Sequence, residues 1–101
     1  MTRAFDVVAV GELNPDLILA EMQADAPKLG TEQEVGRLEL TLGSSTAICL
    51  VNLSRLGSKT AMVAKVGADE YGTFCLGRLR EEGVNTEHVI VSPQSRTGLT
   101  V

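Results

Sequence analysis

The chain has only two cysteines and one histidine among its 101 residues. Neither cysteine belongs to a CxxC pair, and no Cys/His spacing typical of a metal site is present. Cys49 and Cys75 both fall in helical patterns, where a free cysteine usually packs as a small hydrophobic residue, so we interpret both as core residues. His88 is not paired with a serine, cysteine or acid in a catalytic pattern, and we expect it at the surface. The sequence therefore predicts no metal site.

Long hydrophobic runs and clusters of positive charge are also missing. The apolar runs at 7–10 and 47–51 are far shorter than a membrane span, and residues 1–6 do not begin a signal peptide. We therefore expect a cytoplasmic protein that does not contact a membrane. Nine basic residues stand against thirteen acidic ones, which gives a net charge of -4 with no basic stripe. That balance disfavours a nucleic-acid partner, which would need clustered Lys and Arg.

The sequence does contain alternating strand and helix patterns, and its 44% hydrophobic content excludes disorder. The patterns predict strands at 6–10, 59–66 and 88–91 and helices at 44–56 and 71–82. This order predicts a parallel sheet with right-handed crossovers. The first strand is apolar throughout, which is typical of a strand covered on both faces. The first helix is apolar nearly all round, so we expect it to be largely buried.

Residues 11–43 separate the first strand from the first helix, far more than a plain βαβ unit needs. Two strands are predicted there, at 17–22 and 35–42, with the polar loop 23–30 between them. Leucines alternate with polar residues in the second of these strands, which is typical of an antiparallel sheet with one wet face. We therefore predict a flap over residues 12–43 whose strands stand outside the parallel sheet.

Glycine turns lie where predicted strands end or helices begin, at Gly11, Gly43 and Gly67. In an open α/β sheet these positions share the carboxyl edge of the strands, where ligands bind. Asn14 and Asp16 are the polar residues of the first turn. Asp16 could also be a simple turn residue. The serines after Gly43 can cap the first helix whether or not they touch a ligand, and Asp69 can cap the second.

The order and spacing of these motifs closely resemble the N-terminal part of the ribokinase-like (PfkB) carbohydrate kinases. The matching motifs are G-E-x-N-x-D at 11–16, T-L-G-S-S-T-A at 41–47, L-S-R-L-G at 53–57, K-V-G-A-D-E-Y-G at 65–72 and E-G-V at 82–84. The resemblance implies an α/β fold, a ribokinase-like doubly wound parallel sheet, partly present, with a β-strand lid inserted after strand 1. Residues 1–101 would then be the N-terminal part of one domain, with lid segments at about 12–43 and 96–101. Because the strand-like run at 96–101 stops without a turn, we expect a fragment of a larger protein.

The resemblance also assigns roles to residues. Asp16 matches the acidic residue that accepts hydrogen bonds from sugar hydroxyls, Asn14 matches a polar neighbour, and Gly43 matches the first glycine of a diglycine turn. The chain departs from the family at Ser44, which replaces the second glycine, and at Ile48, which replaces an asparagine that contacts the sugar. The substrate hydroxyl that this asparagine would contact is then absent, held by Ser45 or Thr46 instead, or replaced by an apolar group. The predicted substrate-binding residues are Asn14, Asp16, Gly43, Ser44 and Ser45.

In this family the γ-phosphoryl group of ATP moves to a hydroxyl of a sugar or nucleoside, so the resemblance implies ATP, Mg²⁺ and a small-molecule sugar as partners. A homodimer through the lid is a further option. No catalytic residue is predicted here, because the family's D-T-x-G-A-G-D stretch is missing, and we expect the chain alone to be inactive. The alternative is a non-catalytic polyol-binding or dimerisation module of the same fold. A dinucleotide-dependent oxidoreductase is disfavoured because the first turn lacks G-x-G-x-x-G.

Overall fold

The computed structural model describes residues 2–23 and 26–101. Five strands and two helices follow one another in the described residues: β1 (Val7–Val10), β2 (Pro15–Met22), β3 (Val35–Leu42), α1 (Ser45–Arg55), β4 (Thr60–Gly67), α2 (Glu70–Glu81) and β5 (Val89–Ser92). Each predicted strand and helix listed above is present, with its ends displaced by at most two residues. Residues 24 and 25 of the predicted polar loop lie outside the described residues.

Three strands form the predicted parallel sheet, in the order β1-β4-β5. Val7 is opposite Thr60 and Val10 opposite Val63, while Ala64 is opposite Val89 on the other side of β4. The two helices are the crossovers that return the chain to the same end of the sheet, as parallel pairing requires. The carboxyl ends of β1 and β4 therefore lie at one edge.

The strands β2 and β3 pair with each other, antiparallel, and form a separate sheet. The register runs from Pro15 opposite Leu42 to Met22 opposite Val35. This pairing agrees with the predicted flap, because neither strand enters the parallel sheet in the described part of the chain. We call β2 and β3 the lid sheet; whether it moves over a ligand stays a prediction.

A third segment joins the lid sheet near the end of the chain. Thr100 forms a parallel bridge with Asp16. The Leu17 amide donates to the Thr100 carbonyl at 2.7 Å, and the Thr100 amide donates to the Pro15 carbonyl at 3.2 Å. The edge of β2 that does not face β3 is thus partly paired, close to its first residues.

The core lies on one face of the parallel sheet, where α1 and α2 pack together. Its buried residues come from both helices and β4, with one residue before β2 and one after α2: Leu13, Ala47, Leu50, Val51, Met62, Val66, Cys75, Leu76, Leu79 and Val84. Cys75 has no exposed surface, and burial raises the pKa of its thiol to about 11. Its predicted core position is confirmed.

The opposite face of the sheet is open in the described residues, which corrects the prediction for β1. Val8 is 53% exposed, Val10 77% and Ile90 63%. Because both helices pack on the other face, alternate residues of β1 are half-buried and the residues between them are exposed. A continuous apolar run shows that both faces of a strand are suited to burial. Whether both faces are buried depends on which other segments pack against them.

The first helix is likewise buried on one side only. Ala47, Leu50 and Val51 are buried, whereas Ile48 and Cys49 are exposed. The predictions of a largely buried helix and of a core Cys49 were therefore wrong. The physical reason is the same as for β1, since α1 packs against the sheet and the base of the lid but meets no second layer among the described residues.

Candidate substrate site

The predicted site residues come together where the lid sheet joins the parallel sheet. The chain leaves β1 at Val10 and enters β2 at Pro15, and β3 returns beside β2 to reach Gly43. The Gly43 amide donates to the Asn14 carbonyl at 2.9 Å. This hydrogen bond joins the two roots of the lid directly before α1, and it brings Asn14, Asp16 and Gly43 next to one another.

Gly43 is required by the close approach of the Asp16 side chain. A Cβ atom at Gly43 would lie 2.5 Å from Asp16 Oδ1 and 2.8 Å from the Asn14 carbonyl oxygen, distances that no larger residue could accept. The sequence suggested that glycine admits a ligand here. The structure gives a second reason, because glycine also lets the Asp16 carboxylate rest against the backbone.

The Asp16 carboxylate makes no side-chain hydrogen bond within the described part of the chain. It is half-buried at the start of β2 and is not among the buried polar groups that lack a partner. Its oxygens can therefore accept hydrogen bonds from a ligand. A carboxylate offers about four acceptor positions, enough for two neighbouring hydroxyl groups.

Asn14 contacts the terminal segment. Its Nδ2 donates to Thr100 Oγ1 at 3.4 Å, while its Oδ1 is shielded from solvent and accepts no hydrogen bond from the described residues. An unpaired buried acceptor is costly in free energy.

The Ser44 hydroxyl makes two hydrogen bonds within the protein. Ser44 Oγ donates to the Glu12 carbonyl at 2.6 Å and accepts from the Ala47 amide at 3.1 Å, so Ser44, not Ser45, is the N-cap of α1. Its backbone has φ 73, a left-handed value that favours glycine. Ser45 is exposed as the first residue of the helix. Of the two serines, Ser45 has the freer side chain.

Asp69 caps α2 as predicted, with its Oδ1 accepting from the Gly72 amide at 2.8 Å. It also accepts from the Thr97 amide at 2.8 Å and from the Thr97 hydroxyl at 2.7 Å. These donors hold the pKa of Asp69 below its usual range, with the Thr97 amide as the largest cause. Sequence reasoning missed Thr97 and Thr100, because no local pattern indicates contacts so distant along the chain.

A cleft of about 410 Å³ follows the outer edge of β2. Asp16 and Thr100 supply polar groups at the base of the lid, whereas Leu17, Leu19 and Met22 make the rest of the cleft apolar. Only the base therefore offers hydrogen bonds to a polyol.

The described residues do not by themselves form a metal site that could hold Mg²⁺. Between 2–23 and 26–101, no group of three or more His, Cys, Asp or Glu side chains could hold a metal ion. The Asp69 carboxylate already accepts three hydrogen bonds, from the Gly72 amide and from the Thr97 amide and hydroxyl.

Across residues 2–23 and 26–101, no helix is long and apolar enough to cross a membrane.

Comparison with known proteins identifies the family. The model of the pfkB family carbohydrate kinases matches residues 4–101. The chain belongs to this family. The 5-dehydro-2-deoxygluconokinase of Geobacillus kaustophilus is 32% identical over 98 residues, which are 96% of this chain and 28% of that protein.

Solved structures of sugar kinases share the fold. The fructokinase of Halothermothrix orenii has a TM-score of 0.77 and 32% identity, covering 93% of this chain and 32% of its own. A sugar kinase of Pyrococcus horikoshii, solved in complex with ATP, has a TM-score of 0.72 and 29% identity, covering 91% of this chain and 28% of its own. The chain thus spans less than a third of each of these pfkB relatives.

Proposed function

We propose that this chain is the N-terminal, substrate-binding portion of an ATP-dependent carbohydrate kinase that phosphorylates a hydroxyl of a sugar or nucleoside. Membership of the pfkB family supports the reaction class. Relatives include a fructokinase and a 5-dehydro-2-deoxygluconokinase, and one structural neighbour binds ATP. Use of ATP with Mg²⁺ and a cytoplasmic location are part of this proposal.

The observation that carries the proposal is the Asp16 carboxylate at the base of the lid, without a protein donor within the described residues. A sugar presents several hydroxyl donors on neighbouring carbons, and an ionised carboxylate accepts them as charge-assisted hydrogen bonds. Asn14 would add an amide beside it. Gly43 has no side chain that would crowd the Asp16 carboxylate. Ser45 would offer a hydroxyl from the start of α1.

These residues would bind and orient the sugar. When bound, ATP supplies the phosphoryl group; the described residues provide neither its site nor the base. Fixing the acceptor hydroxyl in place lowers the entropic barrier to transfer. A lid sheet that closes over the sugar would also keep water from competing as acceptor.

Replacing Asp16 by Asn tests the proposal in the full-length protein. The substitution keeps the size of the side chain and removes the charged acceptor, so sugar affinity should fall about 10- to 100-fold, which is about 1.5–3 kcal/mol. Calorimetric titration with D-fructose and with 5-dehydro-2-deoxy-D-gluconate measures the sugar affinity of the wild type and of the variant. Thermal stability should hardly change, because Asp16 supports no side-chain hydrogen bond within the described chain.

Glu39→Gln is the matched control, because Glu39 is an exposed carboxylate on the neighbouring strand β3. It should leave the affinity for both sugars unchanged. Equal binding by wild-type protein and Asp16→Asn would contradict the role of Asp16. Loss of folding in Asp16→Asn would show that the residue supports the structure instead.

The second candidate, a non-catalytic polyol-binding or dimerisation module, is favoured by one feature of the lid sheet. Leu19 and Leu38 form a cross-strand pair, and Leu38 is 64% exposed. Exposed leucines on an open sheet are typical of an interface between proteins. We propose that two copies pair through this face of the lid, which kinase activity would not exclude. Sedimentation of the full-length protein would show a dimer if this is correct.

A further inference from the structure

A hydrogen-bonded cluster at the end of β4 and the start of α2 holds the third segment of the lid. The cluster consists of Gly67, Asp69, Gly72 and Thr97, and we call it the Asp69–Thr97 latch. Thr97 is 8% exposed and lies three residues before Thr100, the residue that pairs with β2. The position of Thr100 therefore depends on how firmly Thr97 is held.

Each polar group of the Thr97 amide and hydroxyl is paired inside the latch. The amide donates to Asp69 Oδ2 at 2.8 Å and the hydroxyl donates to Asp69 Oδ1 at 2.7 Å. The same hydroxyl accepts from the buried Gly67 amide at 2.9 Å. A residue held through two donors and one acceptor to two different elements has little freedom to move.

The two glycines allow this close approach. A Cβ atom at Gly67 would lie 2.4 Å from the Ser95 carbonyl oxygen and 2.8 Å from the Thr97 amide. A Cβ atom at Gly72 would lie 2.3 Å from the Gly67 carbonyl oxygen and 3.0 Å from Thr97 Oγ1. The segment therefore packs directly on the end of β4 and the start of α2.

Capping of α2 alone does not explain these contacts. The cap needs only the hydrogen bond from the Gly72 amide to Asp69. The Asp69 carboxylate accepts its other two hydrogen bonds from the Thr97 amide and hydroxyl. Asp69 thus joins the second helix to the segment that borders the candidate site.

The segment that follows the latch is hydrogen-bonded to the first residues of the lid sheet and to Asn14. Beyond Thr97, Thr100 exchanges backbone hydrogen bonds with Pro15 and Leu17, on either side of Asp16. Thr100 Oγ1 also accepts from Asn14 Nδ2 at 3.4 Å. Displacement of Thr97 would therefore be transmitted to both Asn14 and Asp16.

We propose that Asp69 and Thr97 are positioning residues that set the geometry of Asn14 and Asp16 through Thr100. This inference rests on the proposed function, in which Asn14 and Asp16 bind the sugar. Neither Asp69 nor Thr97 touches the sugar itself. Weakening the latch should therefore change sugar binding more than it changes the fold.

The experiment compares variants of the full-length protein. Thr97→Val keeps the shape of the side chain but removes the hydroxyl, and Thr97→Ser restores it. Asp69→Asn keeps an oxygen for the cap and turns an amide donor toward the Thr97 amide. Ser54→Ala is the matched control, because Ser54 donates to the Glu82 carbonyl at the other end of both helices. Two quantities are measured: the KM for D-fructose, and deuterium exchange of the Leu17 and Thr100 amides.

Thr97→Val and Asp69→Asn should raise the KM about tenfold, because misplaced Asn14 and Asp16 side chains would lose hydrogen-bond energy to the sugar. Both variants should speed exchange of the Leu17 and Thr100 amides, whereas Thr97→Ser and Ser54→Ala stay near wild type. If Thr97→Val does not fold, Asp69→Asn and Thr97→Ser provide the same comparison.

The outcomes separate the two proposals. Suppose that the wild-type protein is active and that the latch variants change the KM and the amide exchange no more than Ser54→Ala does. This result would overturn the positioning role and leave the proposed function intact. If the wild type neither binds nor phosphorylates D-fructose or any other sugar, the proposed function fails and the role toward a sugar fails with it. Deuterium exchange then still shows whether the latch holds Thr100.

Discussion

A single backbone position combines strain and two hydrogen bonds at the base of the lid. Ser44 has φ 73, where a non-glycine residue costs about 1–3 kcal/mol. Its hydroxyl joins the Glu12 carbonyl before the lid to the Ala47 amide in α1. These two bonds offset part of the strain. Serine at this position therefore lacks the backbone freedom of glycine, but its hydroxyl connects the root of the lid to the helix.

We predict that Ser44→Ala is less stable than Ser44→Gly by about 1 kcal/mol, because alanine keeps the strained φ and glycine relieves it while both lose the hydroxyl. Urea unfolding of the full-length protein measures the difference. The same pair at Ser45, the first residue of α1, should give the opposite order, since alanine is the better helix former. Greater stability of Ser44→Ala than of Ser44→Gly would show that the strain is unimportant.

At the scale of elements, an ion pair joins the C-terminal ends of the two helices. Arg55 Nε and Nη2 donate to the two carboxylate oxygens of Glu82 at 2.7 and 2.6 Å. The hydrogen bond from Arg55 lowers the pKa of Glu82, and Glu82 raises the pKa of Arg55. The two parallel hydrogen bonds link the end of α1 to the residue that caps the end of α2.

This ion pair gives a pH dependence with a defined sign. Because folding lowers the pKa of Glu82, its contribution to stability is present above the ordinary glutamate pKa of 4.5 and is lost as pH falls through the lower folded value. Glu82→Gln should lower the thermal midpoint at pH 7, and its deficit against wild type should shrink on acidification below pH 4.5. Calorimetry across this range measures both curves.

Glu81→Gln is the control, because Glu81 forms only an exposed i,i+3 pair with Arg78. Its thermal midpoint should follow that of wild type at each pH. A deficit in Glu82→Gln that stays constant from pH 7 to pH 3 would refute the ionic origin of the stabilisation.

The elements were predictable because their signals are local. Period-two alternation placed β3, and Asp69 marked the start of α2 from the sequence alone. The exposure of Val10 and Cys49 was not predictable, since a strand or helix does not specify how many layers will cover it. Thr97 was missed for the same reason, because its contacts to Asp69 arise only when the chain returns to the sheet edge.

At the scale of the whole molecule, we predict that residues 1–101 alone do not hydrolyse or transfer phosphate from ATP. Phosphoryl transfer needs a positioned γ-phosphate, neutralised charge and a residue that activates the acceptor hydroxyl. Among residues 2–23 and 26–101, no acidic or histidine cluster could hold a metal ion. Three protein donors occupy the Asp69 carboxylate and lower its pKa, which makes it a weak base.

A coupled assay of ADP release tests this prediction, with D-fructose and a panel of other sugars and nucleosides added to residues 1–101 and to the full-length protein. We expect turnover only by the full-length protein, because in the proposed function this chain binds the sugar and the phosphate site lies elsewhere in the protein. Sugar-dependent turnover by residues 1–101 would refute the division of labour proposed here. A full-length protein that binds sugars but never releases ADP would instead favour the polyol-binding module, in which Asn14 and Asp16 keep their roles and no phosphoryl group is transferred.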